Sequence, residues 1–193
     1  SHSSKVSRWL FSGWHRATAQ SSNPSCEACR SIRSVAFMRQ RSEKSDIKIK
    51  RIHNWLISTI QYEKDENSKN QHNIYGALHD KKAVCEGYAR SFKYIMKKVG
   101  VPAVLVSGTA RNSEDKTESH AWNYVQINEN WYAVDVTWDD PIITEERPLS
   151  IEEKYRYCLK GSDEFFKDHT EDGMISENGM KFKYPTLSKS NYE

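Results

Sequence analysis

The sequence lacks several features that would mark a membrane, metal-dependent or nucleic-acid-binding protein. None of its apolar runs approaches the roughly 20 residues that span a bilayer, and its start carries no secretory signal. No nucleic-acid motif accompanies its basic residues, and no loop has the ligand spacing of a calcium-binding hand. With 193 residues, 28% of them charged and 37% hydrophobic, the chain is predicted to form one soluble domain with a proper core.

Cysteine is also scarce, with four in the chain. Cys26 and Cys29 form a lone C-x-x-C pair, and zinc would need two further ligands that no second pair provides. A thioredoxin-type role would need a βαβ context, which this segment lacks. The pair is therefore expected to be a local disulfide or two free thiols, and no metal site is predicted.

Positive charge is concentrated at the start of the chain. Residues 1–60 hold eleven Lys and Arg against three Asp and Glu, whereas the remainder holds 18 against 23. A basic segment can serve an anionic partner such as a nucleic acid, a cell-wall polymer or a membrane. We favour the alternative, a solvated basic face beside an acidic body, with no nucleic-acid partner. Residues 1–44 are predicted to be a basic, helical N-terminal extension, and residues 45–193 the main domain.

Two amphipathic helices stand out in the main domain. One is predicted to begin at Cys85 and to end at Gly100, because Gly100 is a typical C-cap and Pro102 prevents continuation. Its apolar face, at i, i+3, i+4, i+7 spacing, consists of Cys85, Tyr88, Ala89, Phe92, Ile95, Met96 and Val99. The other is predicted to start at a Ser45 cap, with an apolar face of Ile49, Ile52, Trp55, Leu56 and Ile60.

The position of Cys85 at a helix start has a chemical consequence. Free backbone N–H groups and the helix dipole favour a thiolate there, although the adjacent charge of Glu86 opposes it. A general base is therefore needed to activate the thiol. The alternative interpretation is an inert buried cysteine, which is what most cysteines are.

The polar stretch Thr109 to Ser119 predicts a solvated loop. After it, two aromatic and β-branched runs, residues 120–127 and 131–138, predict a β-hairpin that can supply the base. With a two-residue loop, or a four-residue loop in the same register, Asp135 lies opposite Trp122 and diagonal to His120, on one face of the sheet. A three-residue loop would place the His120 and Asp135 side chains on opposite faces. The sequence permits the first register without requiring it.

A Cys-His-Asp relay is the hypothesis that joins these elements. The imidazole of His120 would take the thiol proton of Cys85, and Asp135 would orient the ring and stabilise its cation. Taken singly, His120 could be a strand-end histidine and Asp135 a turn-facing acid. Nucleophile, base and acid follow one another along the chain, and each lies in an element suited to its role. This arrangement favours the relay.

The blocks that carry this relay resemble the transglutaminase-like superfamily in its bacterial form. The matching stretches, in chain order, are Ile52-His53-Asn54-Trp55-Leu56, Tyr62, Ile74-Tyr75-Gly76-Ala77-Leu78, Ala83-Val84-Cys85-Glu86-Gly87-Tyr88-Ala89, His120-Ala121-Trp122-Asn123 and residues 131–141. Tyr157 to Ser162, His169 and Pro185 to Tyr192 resemble the tail of the same bacterial group. The resemblance implies a papain-like α+β fold, with the nucleophile helix packed on an antiparallel sheet and Cys85, His120 and Asp135 as the triad.

The resemblance also implies an activity, namely transfer of a glutamine acyl group to an amine through a thioester on Cys85. Two alternatives stay open: a cysteine peptidase or deamidase with the same triad, and a non-catalytic surface module. No cofactor and no calcium are expected, and the partners would be a protein or peptide substrate and an amine acceptor. Tyr62 is a candidate oxyanion donor beside the Cys85 backbone N–H, and Trp122 a candidate substrate contact in an aromatic wall with Trp131 and Trp138.

Four further expectations concern individual residues and the location of the protein. Cys158, where the family commonly has a larger apolar residue, is predicted to be a buried core thiol, and His169 is interpreted as structural. Ser150 and Glu153 predict a capping box. The resemblance favours a protein that is secreted or displayed on a bacterial cell surface, with its signal removed before Ser1.

Overall fold

The computed structural model describes residues 43–65, 67–140, 149–173 and 183–193. The predicted N-terminal helices and the Cys26–Cys29 pair lie outside these residues. Within them the helices are α1 (Ser45–Thr59), α2 (Cys85–Val99), α3 (Ile151–Lys154) and α4 (Ser162–Phe165), with a π-helical turn at Gly76–Asp80. Among the described residues, none of the helices is long and apolar enough to cross a membrane.

Five antiparallel strands form the main sheet, in the spatial order β6-β5-β4-β3-β7. Their bounds are β3 (Ala103–Arg111), β4 (Thr117–Ile127), β5 (Asn130–Val134), β6 (Cys158–Lys160) and β7 (His169–Glu171). The short strands β1 (Gln61–Tyr62) and β2 (Lys82–Ala83) pair in parallel beside the start of α2. The α+β class and the packing of the Cys85 helix on an antiparallel sheet are confirmed.

The β4–β5 hairpin adopts the register that brings His120 and Asp135 to one face. Asn123 pairs with Val134, and Ile127 pairs with Asn130. The two-residue loop is possible because Asn128 and Glu129 take positive φ angles of 48° and 68°, as a tight hairpin turn requires. Loop geometry therefore decides a register that residue patterning leaves open.

Each face of the sheet carries its own apolar cluster. The larger cluster joins α1 and α2 to β4 and β5, through residues such as Ile52, Leu56, Tyr88, Phe92, Val125 and Val134. The smaller one covers the opposite face with Val106, Trp122, Tyr124, Phe165, Tyr184 and Leu187. Cys158 is buried in the larger cluster, and burial raises the pKa of its thiol, so the predicted core thiol is confirmed.

Two local predictions are corrected by the structure. Ser45 does not cap α1, because Lys44 is the extended N-cap residue and Ser45 is already the first helical residue. The polar stretch Thr109 to Ser119, which is typical of a solvated loop, is strand at both ends, since β3 and β4 stay paired out to Arg111 and Thr117. Cross-strand pairing outweighs local polarity there. The capping box of Ser150 and Glu153 is confirmed.

A buried ion pair fixes the turn that follows β5. His53 on α1 and Asp139 have fully buried side chains, and His53 Nε2 lies 2.9 Å from Asp139 Oδ2. Asp139 Oδ1 also accepts the backbone N–H of Tyr157 at 2.7 Å. Removing one partner of a buried pair leaves an uncompensated charge, which is strongly destabilising.

His53→Leu is therefore expected to lower the free energy of unfolding by about 3–5 kcal/mol at pH 7.5, measured by urea denaturation. Burial raises the pKa of Asp139 to about 6. Such an acid binds its proton more tightly in the folded protein, so it favours folding at low pH and loses that contribution as pH rises through about 6. The loss of unfolding free energy in His53→Leu should therefore be smaller at pH 5, because Asp139 can then take up a proton and become neutral.

The matched control is Glu114→Gln, which breaks the exposed pair that Glu114 forms with Lys116 at 2.7 Å. An exposed pair contributes about 1 kcal/mol or less. Equal losses in His53→Leu and Glu114→Gln would contradict a structural role for the His53–Asp139 pair.

Candidate active site

Cys85 is the first residue of α2, separated from β2 by the N-cap residue Val84, and it is partly exposed. The first turn of α2 packs closely on the preceding loop: Val84 N–H donates to Gln71 O at 3.0 Å, and a Cβ at Gly87 would lie 2.4 Å from Gln71 O. Gly87 therefore allows this approach, which positions the start of α2 against the loop. N–H groups in the first turn of a helix have no partner inside the helix, so they are available to an anion.

His120 on β4 and Asp135, the first residue after β5, meet next to this helix start. His120 Nε2 lies 2.6 Å from Asp135 Oδ2, and both side chains are almost completely buried. With Nε2 held by Asp135, the other ring nitrogen, Nδ1, is left for the Cys85 thiol. The thiol is near enough to contribute to the pKa of His120. The structure thus brings together the three residues of the hypothesised relay.

The electrostatics of the pair favour an imidazolium–carboxylate state. Burial alone would lower the pKa of His120, but the charge and hydrogen bond of Asp135, together with Cys85, hold that pKa well above its usual range. Burial alone would raise the pKa of Asp135, but His120 and His169 hold it well below its usual range. Asp135 therefore stays ionised, and His120 can keep a proton at neutral pH.

The charge of Glu86, which opposes a thiolate at Cys85, is itself paired. Its Oε1 accepts from Arg90 Nε at 2.8 Å and from Arg90 Nη2 at 2.6 Å, and its Oε2 lies 3.2 Å from His72 Nδ1. These cationic and titratable neighbours offset the unfavourable charge that sequence reasoning assigned to this position.

Four donors hold the Asp135 carboxylate. Oδ1 accepts the backbone N–H groups of Thr137 at 3.0 Å and Trp138 at 3.2 Å. Oδ2 accepts from His120 and also lies 3.2 Å from His169 Nε2. His169 was interpreted as structural, and the sequence analysis missed its contact with Asp135. The only available signal was its place in the family-like tail, because β7 reaches the site through pairing with the distant strand β3.

The two lower-ranked candidate residues occupy different surroundings. Tyr62 lies on β1 opposite Ala83 and is 37% exposed. Burial of its ring, and then the charge of Cys85, raise the pKa of its hydroxyl, so the group stays a hydrogen-bond donor near the nucleophile. Trp122 is only 1% exposed and packs beside His120, with ring centroids 6.0 Å apart. Its indole supports His120 from the sheet and offers no open wall to a substrate.

Trp138 is the indole that borders open space. Its ring centroid lies 5.2 Å from that of His120, and it lines a cleft of about 580 Å³. Arg111, Arg156, Tyr157 and Asp168 are among the other lining residues. Of the three tryptophans expected to form an aromatic wall, Trp138 is the one that joins the relay to a cleft, since Trp131 packs against the smaller apolar cluster.

Within the described part of the chain, one group of side chains has the composition of a metal site. The ligand atoms of His120, Asp135 and His169 lie within 4.8 Å of one another. Zinc ligands at 2.0–2.1 Å from a tetrahedral ion would sit about 3.3 Å apart. The 2.6 Å contact between His120 and Asp135 is a hydrogen-bond distance, so we assign these contacts to hydrogen bonding.

A family model described as the transglutaminase-like superfamily matches residues 34–136, which is more than half of the chain. The chain belongs to this superfamily. The match includes Cys85, His120 and Asp135.

Curated relatives of this superfamily member include two mammalian proteins. Kyphoscoliosis peptidase of Mus musculus is 24% identical over 149 residues, covering 72% of this chain and 22% of that protein. Kyphoscoliosis peptidase of Homo sapiens is 27% identical over 122 residues, covering 56% of this chain and 18% of that protein. The chain thus spans about a fifth of the length of these relatives.

Solved structures similar to this transglutaminase-like chain include bacterial proteins. Calcium-bound LapG of Legionella pneumophila has a TM-score of 0.49 at 12% identity, covering 86% of this chain and 80% of that chain. The ethylmercury-bound periplasmic domain of TgpA from Pseudomonas aeruginosa has a TM-score of 0.45 at 17% identity, covering 60% and 46%.

The environment of the two described cysteines predicts selective labelling in this transglutaminase-like domain. Cys85 is partly exposed and lies beside an imidazole, whereas Cys158 is buried and burial raises the pKa of its thiol. Brief iodoacetamide treatment at neutral pH, followed by peptide mapping, should modify Cys85 well before Cys158. Labelling of Cys26 or Cys29 with Cys85 untouched would contradict the assignment of Cys85 as the reactive thiol.

Proposed function

We propose that the protein is a thiol acyltransferase that moves the acyl group of a glutamine side chain to a primary amine. The observation that supports it best is the 2.6 Å contact between His120 Nε2 and Asp135 Oδ2, with Cys85 on the other side of the ring. Asp135 orients and charges the imidazole, and the imidazole moves protons to and from the thiol.

The first half-reaction forms a thioester. The Cys85 thiolate attacks the carboxamide carbon, and the oxyanion that forms is stabilised by the Cys85 backbone N–H, with the Tyr62 hydroxyl as a second donor. His120 passes its proton to the leaving nitrogen as the carbon–nitrogen bond breaks, and ammonia departs. Cys85 then carries the acyl group and His120 is neutral.

The second half-reaction consumes the thioester. A primary amine attacks the thioester carbon while His120 Nδ1 removes its proton, and the carbon–sulfur bond breaks to release the new amide. The Cys85 thiolate and the His120 imidazolium are then restored, which balances the cycle. Trp138, which lines the cleft, offers apolar surface to the methylene stem of a lysine-like acceptor.

Hydrolysis is the second candidate function. The same thioester attacked by water gives a deamidase, and attack on a backbone amide gives a peptidase. This candidate is favoured by the curated relatives, which are named peptidases, and by the partial exposure of Cys85, which admits water. A non-catalytic cell-surface interaction module is the remaining alternative.

One experiment separates these functions. The full chain is given a glutamine peptide with and without a labelled amine, in chelator, and both ammonia release and amine incorporation are followed. The proposal expects incorporation that rises with amine concentration and persists in chelator. Ammonia without incorporation at high amine would identify a deamidase, and a cleaved backbone a peptidase. Activity that disappears with chelator and returns with calcium would contradict the metal-free mechanism.

We also propose how the chain is organised and where the protein is located. We assign catalysis to residues 45–193 and a secreted or cell-surface location in a bacterium, with residues 1–44 as a basic extension outside the chemistry. Deleting residues 1–40 should leave Cys85 alkylation within about twofold of the full chain, because the deleted segment contains none of the three relay residues and independent sites act additively. A truncated protein that stays folded but no longer reacts at Cys85 would contradict this division.

A further inference from the structure

The His169 ring is completely buried between two carboxylates. Its Nε2 lies 3.2 Å from Asp135 Oδ2, and its Nδ1 lies 2.6 Å from Asp168 Oδ1. Aromatic neighbours fix the plane of the ring: Phe165 stacks on it with centroids 4.1 Å apart, and Trp138 meets it at 4.6 Å. Both the position and the orientation of this imidazole are therefore set by its surroundings.

Counting protons shows which way the hydrogen bonds run. An ionised carboxylate only accepts hydrogen bonds, and a neutral imidazole has one N–H. Asp135 stays ionised, so His169 Nε2 must carry a proton to bond with it. The 2.6 Å contact with Asp168 then needs a second proton, held either by the ring or by Asp168. In both cases His169 donates to Asp135.

The Asp135 oxygen that faces His120 depends on this second donor. Backbone N–H groups hold Oδ1, whereas the donors to Oδ2 among the described residues are His120 and His169. His120 gains and loses a proton at its other nitrogen during the proposed cycle, which changes the strength of its hydrogen bond to Oδ2. His169 takes no part in that transfer, so its hydrogen bond is the constant one.

We propose that His169 is a positioning residue for the relay, and that its Nε2–H holds Asp135 Oδ2 at the place where it orients His120. Asp168 fixes the ring from the other side and is itself held, since Tyr157 Oη donates to Asp168 Oδ2 at 2.8 Å. The inference rests on the proposed function of the Cys85 site. It adds a second layer of polar groups, namely buried His169 and the partly buried Asp168 and Tyr157, that the triad alone does not contain.

Variants matched in shape separate hydrogen bonding from packing. His169→Phe keeps a ring against Phe165 but has no N–H group, and His169→Gln supplies a neutral N–H near the position of Nε2. A second pair, His169→Gln and His169→Met, is matched in length and differs in the donor, so it replaces the first if His169→Phe does not fold. Thermal unfolding establishes that each variant is folded.

The readout is the second-order rate constant for iodoacetamide alkylation of Cys85 in the full chain, which requires no substrate. Loss of one hydrogen bond to a charged group should slow alkylation about tenfold in His169→Phe or His169→Met. His169→Gln should recover most of the wild-type rate. In an Asp135→Asn background, removing the His169 donor should change the rate less than about twofold, because the two residues act through one contact.

If Cys85 in folded His169→Phe or His169→Met is alkylated at the wild-type rate, the inference is overturned. The same holds if His169→Gln is as slow as those variants, because the ring would then matter only for packing. Turnover measurements distinguish the positioning role of His169 from the proposed function. If alkylation of Cys85 depends on the His169 donor but no acyl group is transferred, only the proposed function is contradicted. Normal turnover with no dependence on His169 contradicts only the positioning role.

Discussion

Replacing Cys85 with alanine is expected to abolish acyl transfer, with a loss of roughly 10⁴-fold or more in kcat/KM. The reason is that the thioester forms on this sulfur and no other described thiol is near His120. His120→Ala should cause a comparable loss, because the thiol then lacks its base and the leaving amine its acid. Because residues that act as one unit are not additive, the double variant should be little worse than either single one.

The measurement is amine incorporation into a glutamine donor, with unfolding curves to show that each variant is folded. Cys158→Ala is the matched control, since it removes the other described thiol from the core and should keep turnover at the wild-type level. Acyl transfer by the Cys85→Ala protein would show that the reaction does not require a thioester on Cys85. Loss of turnover in a fully folded Cys158→Ala protein would show that the assignment of the thiol is wrong.

Asp135→Asn is expected to lower kcat roughly 10²- to 10⁴-fold and to leave measurable activity, because Asp135 orients and stabilises the imidazole without reacting itself. It should also change the pH profile. Asp135 holds the pKa of His120 above its usual range, so His120 keeps its proton into the alkaline range in the wild type. Without that charge, the alkaline limb of the pH dependence of kcat should move to lower pH, because His120 loses the proton that it donates to the leaving nitrogen.

The raised pKa of His120 also makes the stability of the folded protein depend on pH. A histidine whose pKa is raised by folding stabilises the folded protein fully below the pKa of the unfolded chain, and this contribution is lost as pH rises through the folded value. Asp135→Asn should therefore cost most stability between about pH 4 and pH 6.5, the ordinary pKa values of aspartate and histidine, because the lowered pKa of Asp135 means that its contribution is lost in acid. Wild-type activity and an unmoved alkaline limb in Asp135→Asn would mean that the acid is structural.

The helix that starts at Cys85 was predictable from sequence because several independent signals agree on it. Its apolar face, Gly100 at the C-cap and Pro102 beyond it are local features, and the structure places the helix at Cys85–Val99 with φ of 78° at Gly100. The β4–β5 hairpin was predictable as an element, but its register was not. That register depends on the positive φ angles of Asn128 and Glu129, which residue type permits without requiring.

What sequence reasoning missed depends on contacts between distant parts of the chain. His169 reaches Asp135 only because β7 pairs with β3, and no local pattern announces that pairing. A Cβ at Gly108, opposite His120 on β3, would lie 2.0 Å from Thr170 O, so the close approach of β7 requires glycine there. The His53–Asp139 pair likewise joins two blocks of the family pattern whose partnership the spacing does not reveal.

The most direct test of the central claim is to trap the acyl group on the enzyme. The full chain is mixed with a glutamine peptide without amine, quenched in acid within seconds, digested and analysed by mass spectrometry. The account predicts an adduct equal to the donor minus ammonia on the peptide containing Cys85, absent from Cys85→Ala and discharged when amine is added before the quench. Amide product formed with the acyl group on another residue, or by the Cys85→Ala protein, would contradict it.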